Sequence, residues 1–235
     1  MTPRGDRPQP PGRVLLLRWV AGIGAVTADA LAAREGTTLT SARATLSAAT
    51  RQGLLARDRP LVDMPALYVV TRAGLRACGL SEIEPSRVSP ASARHMVCCA
   101  GIAAALERRF PDHALMGERE LVWRERRGGV PLASVRLGPA GGHRAQLHRP
   151  DLVMWPVLAE RGLPIAVEVE LTTKAPRRLA EICRGWARAR HIAGVLYLVP
   201  PAVERALARA VTTAQAGERI AIVSLQSLAL DRPRR

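Results

Sequence analysis

Apolar positions recur over residues 13–80 in three helical stretches followed by a pair of short runs. RVLLLRWVAG reads as an apolar helix ending near Gly22 or Gly24. Thr27 can cap a second helix, TADALAAREG, which stops at Gly36. Thr40 or Ser41 can cap a third, in which Leu39, Ala42, Leu46 and Ala49 share one face. The opposite face carries Arg43, Ser47, Thr50 and Arg51, and Gly53 ends the helix. LLARDRPLVDMPALYVVT divides into two apolar runs around a Pro-containing turn, the pattern of a hairpin, and a further helix starts at Thr71.

Residues 81–92, SEIEPSRVSPAS, are polar with two prolines and read as a linker. ARHMVCCAGIAAALERRF follows as a helix with an apolar stripe of Met96, Cys99, Ile102, Ala103 and Leu106. HALMGERELVWRERR reads as a strand with polar flanks, and PLASVRL as another, set off by turns at Gly128, Gly129, Gly138, Gly141 and Gly142. HRPDLVMWPV is a strand opening with Asp151, AERGLP a tight turn, and IAVEVELTTK a third strand. Period two places Glu168 and Glu170 on one face of that strand and Val167, Val169 and Leu171 on the other. Two acids side by side repel and want a cation between or beside them. The chain then alternates: APRRLAEICRGWARAR as helix, AGVLYLVP as strand, PAVERALARAVTTA as helix, RIAIVSL as strand. The expected fold class is α/β with a mixed central sheet.

Composition narrows the function classes. The chain has 235 residues, enough for one large or two small domains, and 48% of them are hydrophobic, which excludes a disordered chain. Thirty-five basic residues against 20 acidic ones give a net charge of +15, which favours a polyanion such as nucleic acid as partner. A membrane surface is disfavoured: the charge is spread along the chain, there is no basic amphipathic helix with large apolar anchors, and no uncharged stretch is long enough to span. Arg18 interrupts the apolar run that follows Arg4, Arg7 and Arg13, so the N-terminus is a poor signal peptide and the expected location is the cytoplasm. Cys78, Cys98, Cys99 and Cys183 contain no CxxC pair and suit a reducing compartment. His95, Cys98 and Cys99 share a helix, but a structural zinc site needs four convergent ligands and no second cluster is present. Of the basic residues, 34 are Arg and one is Lys, Lys174. A lysine that survives such a bias suits a position where Arg would not serve, although chance gives the same count.

Three helices and a hairpin of this size, with LYVVTRAGLRACG leaving the second strand, resemble a winged helix-turn-helix domain over residues 13–80. The resemblance implies that the helix over 39–52 enters the major groove with Arg43, Ser47, Thr50 and Arg51, and that Arg57 and Arg59 touch backbone phosphates. Winged helices also serve as protein-contact modules; the net charge favours DNA. The later order of helix, three strands, helix and strand resembles the PD-(D/E)xK nuclease fold. Pro150–Asp151 supplies the PD, and Glu168 follows 17 residues later. More narrowly, RPD and AVEVELTTKAPRRL behind a winged helix resemble the replication-relaxation family of bacterial plasmids and mobile elements, in which an early helix His and an ERE-like stretch precede the PD strand. His95, Glu118 and Glu120 match those positions.

The resemblance implies Mg²⁺, or Mn²⁺, held by Asp151 and Glu168 with the Val169 carbonyl, extended by Glu118 on a preceding strand, and phosphodiester hydrolysis in plasmid or mobile-element replication or transfer. The third position of the signature is Glu170 where Lys is usual. Either Glu170 serves there, or Lys174 reaches back from the helix start to place the attacking water or neutralise charge. Glu168 and Glu170 have a plainer alternative, an exposed edge paired with Arg177 or Arg178. His148, beside Arg149, can contact phosphate, and Arg177, Arg178, Arg184, Arg188 and Arg190 suit a DNA backbone track. The expected domains are a flexible tail (1–12), a winged helix (13–80), a linker (81–92), a nuclease-like domain (93–226) and a basic tail (227–235), with DNA as partner and a homodimer open. The alternative function is a non-catalytic DNA-binding regulator or replication accessory factor with a degenerate nuclease fold.

Overall fold

A computed structural model describes residues 10–138, 146–158 and 162–229. Residues 1–9 of the expected tail 1–12, residues 230–235 of the expected tail 227–235, the turn glycines Gly141 and Gly142, and residues 159–161 of the AERGLP turn lie outside the described residues, while 11–12 and 227–229 fall in helices. The chain divides into two compact units, one of residues 1–111 with 116–127, the other of 112–115 with 128–235.

The first unit opens with helices α1 (Pro11–Ile23), α2 (Ala28–Glu35) and α3 (Leu39–Arg51). Thr27 Oγ1 accepts the Ala30 N–H at 3.1 Å and so caps α2. The cap of α3 is Thr38, two residues before Thr40 and three before Ser41; its Oγ1 accepts the Ser41 N–H at 3.2 Å. Leu46 and Ala49 of α3 are fully buried, and Arg43 and Arg51 are exposed, as the helical period requires. Strands β1 (Leu55–Asp58) and β2 (Leu67–Val70) form the antiparallel hairpin, and Thr71 caps α4 (Arg72–Ala77). Gly74 of α4 packs so tightly that a Cβ there would lie 2.2 Å from the Leu54 carbonyl oxygen.

Residues 81–92 are not a free linker, and the next helix does not open the second unit. Ile83 is 4% exposed, and α5 (Pro90–Arg109) starts inside the expected linker through a Ser89–Ser92 capping box. Ala100 and Ala104 of α5 join the core built by α1 to α4. Arg34 of α2 stacks over Trp19 and pairs with Glu107 of α5 at 2.5 Å. An alanine-rich stripe admits close helix contact, which is why α5 docks on the first unit. The segment expected as one strand splits. β3 (His113–Gly117) gives way to helix α6 (Glu118–Gly128), so Glu118 starts a helix and lies on no strand. Its acids Glu118 and Glu120 suit the first turn of a helix, and Arg126 and Arg127 the last.

The second unit holds a two-stranded ribbon of β4 (Val135–Leu137) and β5 (Gln146–His148) and, among the described residues, a five-stranded mixed sheet. Its order is β3, β6 (Leu152–Pro156), β7 (Ile165–Val169), β8 (Gly194–Val199), β9 (Ile220–Ser224). β6 runs antiparallel to β7; β8 and β9 run parallel to it. The parallel pairs are joined by α7 (Pro176–Arg188) and α8 (Pro201–Thr213), and a short α9 (Leu225–Ala229) follows β9. β7 is the central strand, and Ala166 to Val169 are all buried. A central strand covered on both faces has no solvent side, so the alternation in IAVEVEL marks two interior faces rather than an inner and an outer one. No described helix is long and apolar enough to cross a membrane.

Candidate active site

The central strand and the residue that follows it carry two carboxylates into the interior of the second unit. Glu168 is 5% and Glu170 6% exposed, which rules out an exposed edge paired with arginines. Arg178 is instead bonded to Glu181 and Gln146, each at 3.0 Å. Each carboxylate has its own partner. Glu168 Oε1 lies 2.6 Å from His148 Nε2, and Glu170 Oε2 accepts from Lys174 Nζ. His148 thus faces a carboxylate. The Glu170 N–H donates to the Leu198 carbonyl, which carries the β7–β8 pairing one residue beyond the strand.

Asp151 sits immediately before β6. The β6–β7 register pairs Leu152 with Val167, so one step further brings Asp151 opposite Glu168. Asp151 Oδ2 accepts the Val169 N–H at 2.7 Å, which fixes the carboxylate against the end of β7. Glu168 feels both Asp151 and Lys174 electrostatically, so Asp151, Glu168, Glu170, Lys174 and His148 form one charged cluster. Burial pushes the Glu168 carboxyl above the usual carboxylate range, with Asp151 adding repulsion, while His148 and Lys174 pull the other way.

Apolar and aromatic groups close the inner side. Trp186 is fully buried and meets the His148 ring edge-on at 5.6 Å between centroids. Tyr197 pairs in register with Glu168, and its hydroxyl is held well above its usual pKa by burial first and the carboxylate second. Cys183 is fully buried, and its thiol is pushed up to about 11 by burial and by Glu168. Tyr197 and Cys183 were not expected near the site. Their only sequence signal was the register of a parallel strand and the inward period of α7.

The remaining expected residues are placed as follows. Glu118 and Glu120 open α6 in the first unit, and Glu120 pairs with Arg124 at 2.6 Å. His95 lies on α5, its Nδ1 3.6 Å from Cys99 Sγ one turn on. Arg43, Arg51 and Arg57 are exposed on α3 and β1; Ser47 is half-buried, and the Thr50 hydroxyl donates to the Leu46 carbonyl at 2.9 Å. Arg177 and Arg184 are exposed on α7, and Arg178 is half-buried there.

In comparisons with known proteins, no family model, no curated protein and no solved structure matches the chain.

Proposed function

We propose that the chain is a DNA-binding protein whose second unit is a PD-(D/E)xK-like phosphodiesterase domain and whose first unit includes a winged helix. The observation that supports the reading best is the convergence of Asp151, Glu168, Glu170 and the chain's one lysine at the ends of β6 and β7. The +15 charge and the exposed Arg43, Arg51 and Arg57 support a DNA partner for the first unit. The proposed setting, plasmid or mobile-element replication or transfer, rests on the resemblance to the replication-relaxation family. The proposed location is the cytoplasm.

The donor set fits a hard divalent cation. Asp151 and Glu168 offer carboxylate oxygens from adjacent strands, and a cation would hold ionised the very group that burial drives toward neutrality. Asp151 and Glu168 would hold Mg²⁺ or Mn²⁺, which supplies charge stabilisation on the phosphate and an activated water. The chain's own residues do the rest. The Val169 N–H orients Asp151, His148 orients Glu168, and Trp186 keeps water from the inner side. Lys174, held by Glu170, places an ammonium at the rim, where negative charge grows on the phosphate.

Incubation with supercoiled plasmid at low salt, with Mg²⁺, Mn²⁺ or EDTA, tests this. Nicking that requires metal and disappears in Asp151→Ala and Glu168→Ala is the expected result. Binding without nicking, unchanged in both variants, overturns the catalytic part. One feature favours that second reading, a DNA-binding accessory factor: both buried glutamates already have cationic or hydrogen-bonding partners within the chain.

A further inference from the structure

A cavity of about 1080 Å³ opens along α7 and α8, starting beside Lys174. Its wall carries Lys174, Arg177, Arg178, Arg184, Arg188 and Arg209. The one acid among them, Glu181, is engaged by Arg178. Arg177, Arg184, Arg188 and Arg209 are exposed and form no ion pair among the described residues. Like charges crowded on one concave surface repel, and a polyanion relieves that repulsion. The α7 N-terminus adds to the field. Ala175 and Pro176 line the cavity, and among the described residues no side chain caps the helix there.

Shape selects among polyanions. Small residues such as Ala180, Ala206 and Ala210 line the cavity, and none of the described lining residues carries an aromatic ring. The described lining therefore offers bases no stacking platform and offers phosphates a row of guanidiniums, contacts that carry no sequence information. From Arg177 to Arg188 is eleven residues of helix, about 17 Å, the rise of about five phosphates of one stacked strand. A surface groove along two helices packed about 8–10 Å axis to axis can seat one sugar–phosphate backbone but not the whole width of a duplex, which is broader than its own major groove of about 12 Å.

We infer that the α7–α8 groove binds the sugar–phosphate backbone of a single nucleic-acid strand, without regard to sequence, and leads it past Lys174 to the Asp151–Glu168 cluster. The inference rests on the proposed nucleic-acid function and adds the strand form and the residues that hold it.

Fluorescence anisotropy of the full chain with a labelled mixed-sequence DNA strand of fifteen nucleotides, and with its duplex, across a salt series, tests it. The variants are Arg184→Ala/Arg209→Ala for the groove and Arg43→Ala/Arg51→Ala for α3. All four residues are exposed, and circular dichroism checks that the fold is kept. The groove variant is expected to lose about tenfold or more in strand affinity. Its slope of log affinity against log salt should fall by about 0.7 for each arginine removed. The duplex should lose less, and the α3 variant should keep its strand affinity. Unchanged strand affinity and slope in the groove variant overturn the inference, while loss of duplex binding in the α3 variant then leaves the DNA-binding reading standing. A groove variant that loses duplex affinity more than strand affinity overturns the single-strand assignment. A native chain that binds neither form overturns both readings.

Discussion

Replacing Lys174 by Met tests whether the ion pair past the end of β7 secures that strand. The side chain of Glu170 is 7% exposed and that of Lys174 40%. Lys174→Met keeps the apolar stem and removes the charge, leaving a carboxylate that cannot withdraw, because its own backbone N–H is bonded to Leu198. Stranding one member of a fully buried pair costs about 3–5 kcal/mol, whereas an exposed pair is worth about 0–1 kcal/mol. Lys174 is two-fifths open to water, so the cost falls between these limits, about 1–3 kcal/mol. With a urea dependence of about 2 kcal/mol per M, the unfolding midpoint falls by roughly 0.5–1.5 M. Glu170→Gln alone removes the charge that needs burying and leaves Lys174 to water, at under about 1 kcal/mol. Glu170→Gln/Lys174→Met should then recover most of the loss, so the two changes are strongly non-additive. Urea denaturation of the three variants without divalent cation measures the cycle. A Lys174→Met variant as stable as the native chain, or a double variant no better than that single one, refutes the claim that a stranded buried carboxylate sets the cost.

Burial raises the Glu168 carboxyl above its ordinary value of 4.5, so the folded chain binds that proton more tightly than the unfolded one. Its contribution to stability is present in full below pH 4.5 and is lost as pH rises through the raised folded value, so Glu168→Gln should flatten the stability curve over that window in metal-free buffer. Thiol titration at pH 8 should find Cys98 reacting first, since Cys78, Cys99 and Cys183 are buried and the Cys183 thiol is pushed up to about 11; rapid labelling of Cys183 in the native chain would contradict the packing around Glu168. Gly74→Ala places a Cβ 2.2 Å from the Leu54 carbonyl oxygen and 2.6 Å from Val70 Cγ1, and should cost about 1–3 kcal/mol in thermal or urea unfolding.

The carboxylate pair, Asp151 and Lys174 were legible because hydrophobic strands rarely carry ionised groups without a reason, and period two fixed which residues share a face. Burial of both faces was not legible. It follows from the position of β7 between β6 and β8, and strand order is a long-range property. The same limit hid the pairing of His148 with Glu168. Its sequence neighbours, Leu147 and Arg149, gave no hint of a partner twenty residues away. Glu118 misled because an acid after an apolar run of four or five residues fits a strand flank as well as a helix first turn, and only the start of α6 at Glu118 decides it. The boundary at 81–92 misled because prolines and charges dominate that stretch, while one apolar residue, Ile83, and the alanine stripe of α5 determine where it packs.

The arginine bias gives Lys174 a practical property. It bears the chain's one side-chain primary amine, and it sits at the mouth of the α7–α8 cavity in contact with Glu170. Acylating reagents therefore have one side-chain target, located where the proposed reaction would occur. A protease specific for lysine has a single cleavage position, immediately before α7. A fluorophore attached there would report on the cavity alone, and an acetyl group transferred there by a cellular enzyme would remove the ammonium that faces Glu170 while leaving all 34 guanidiniums untouched.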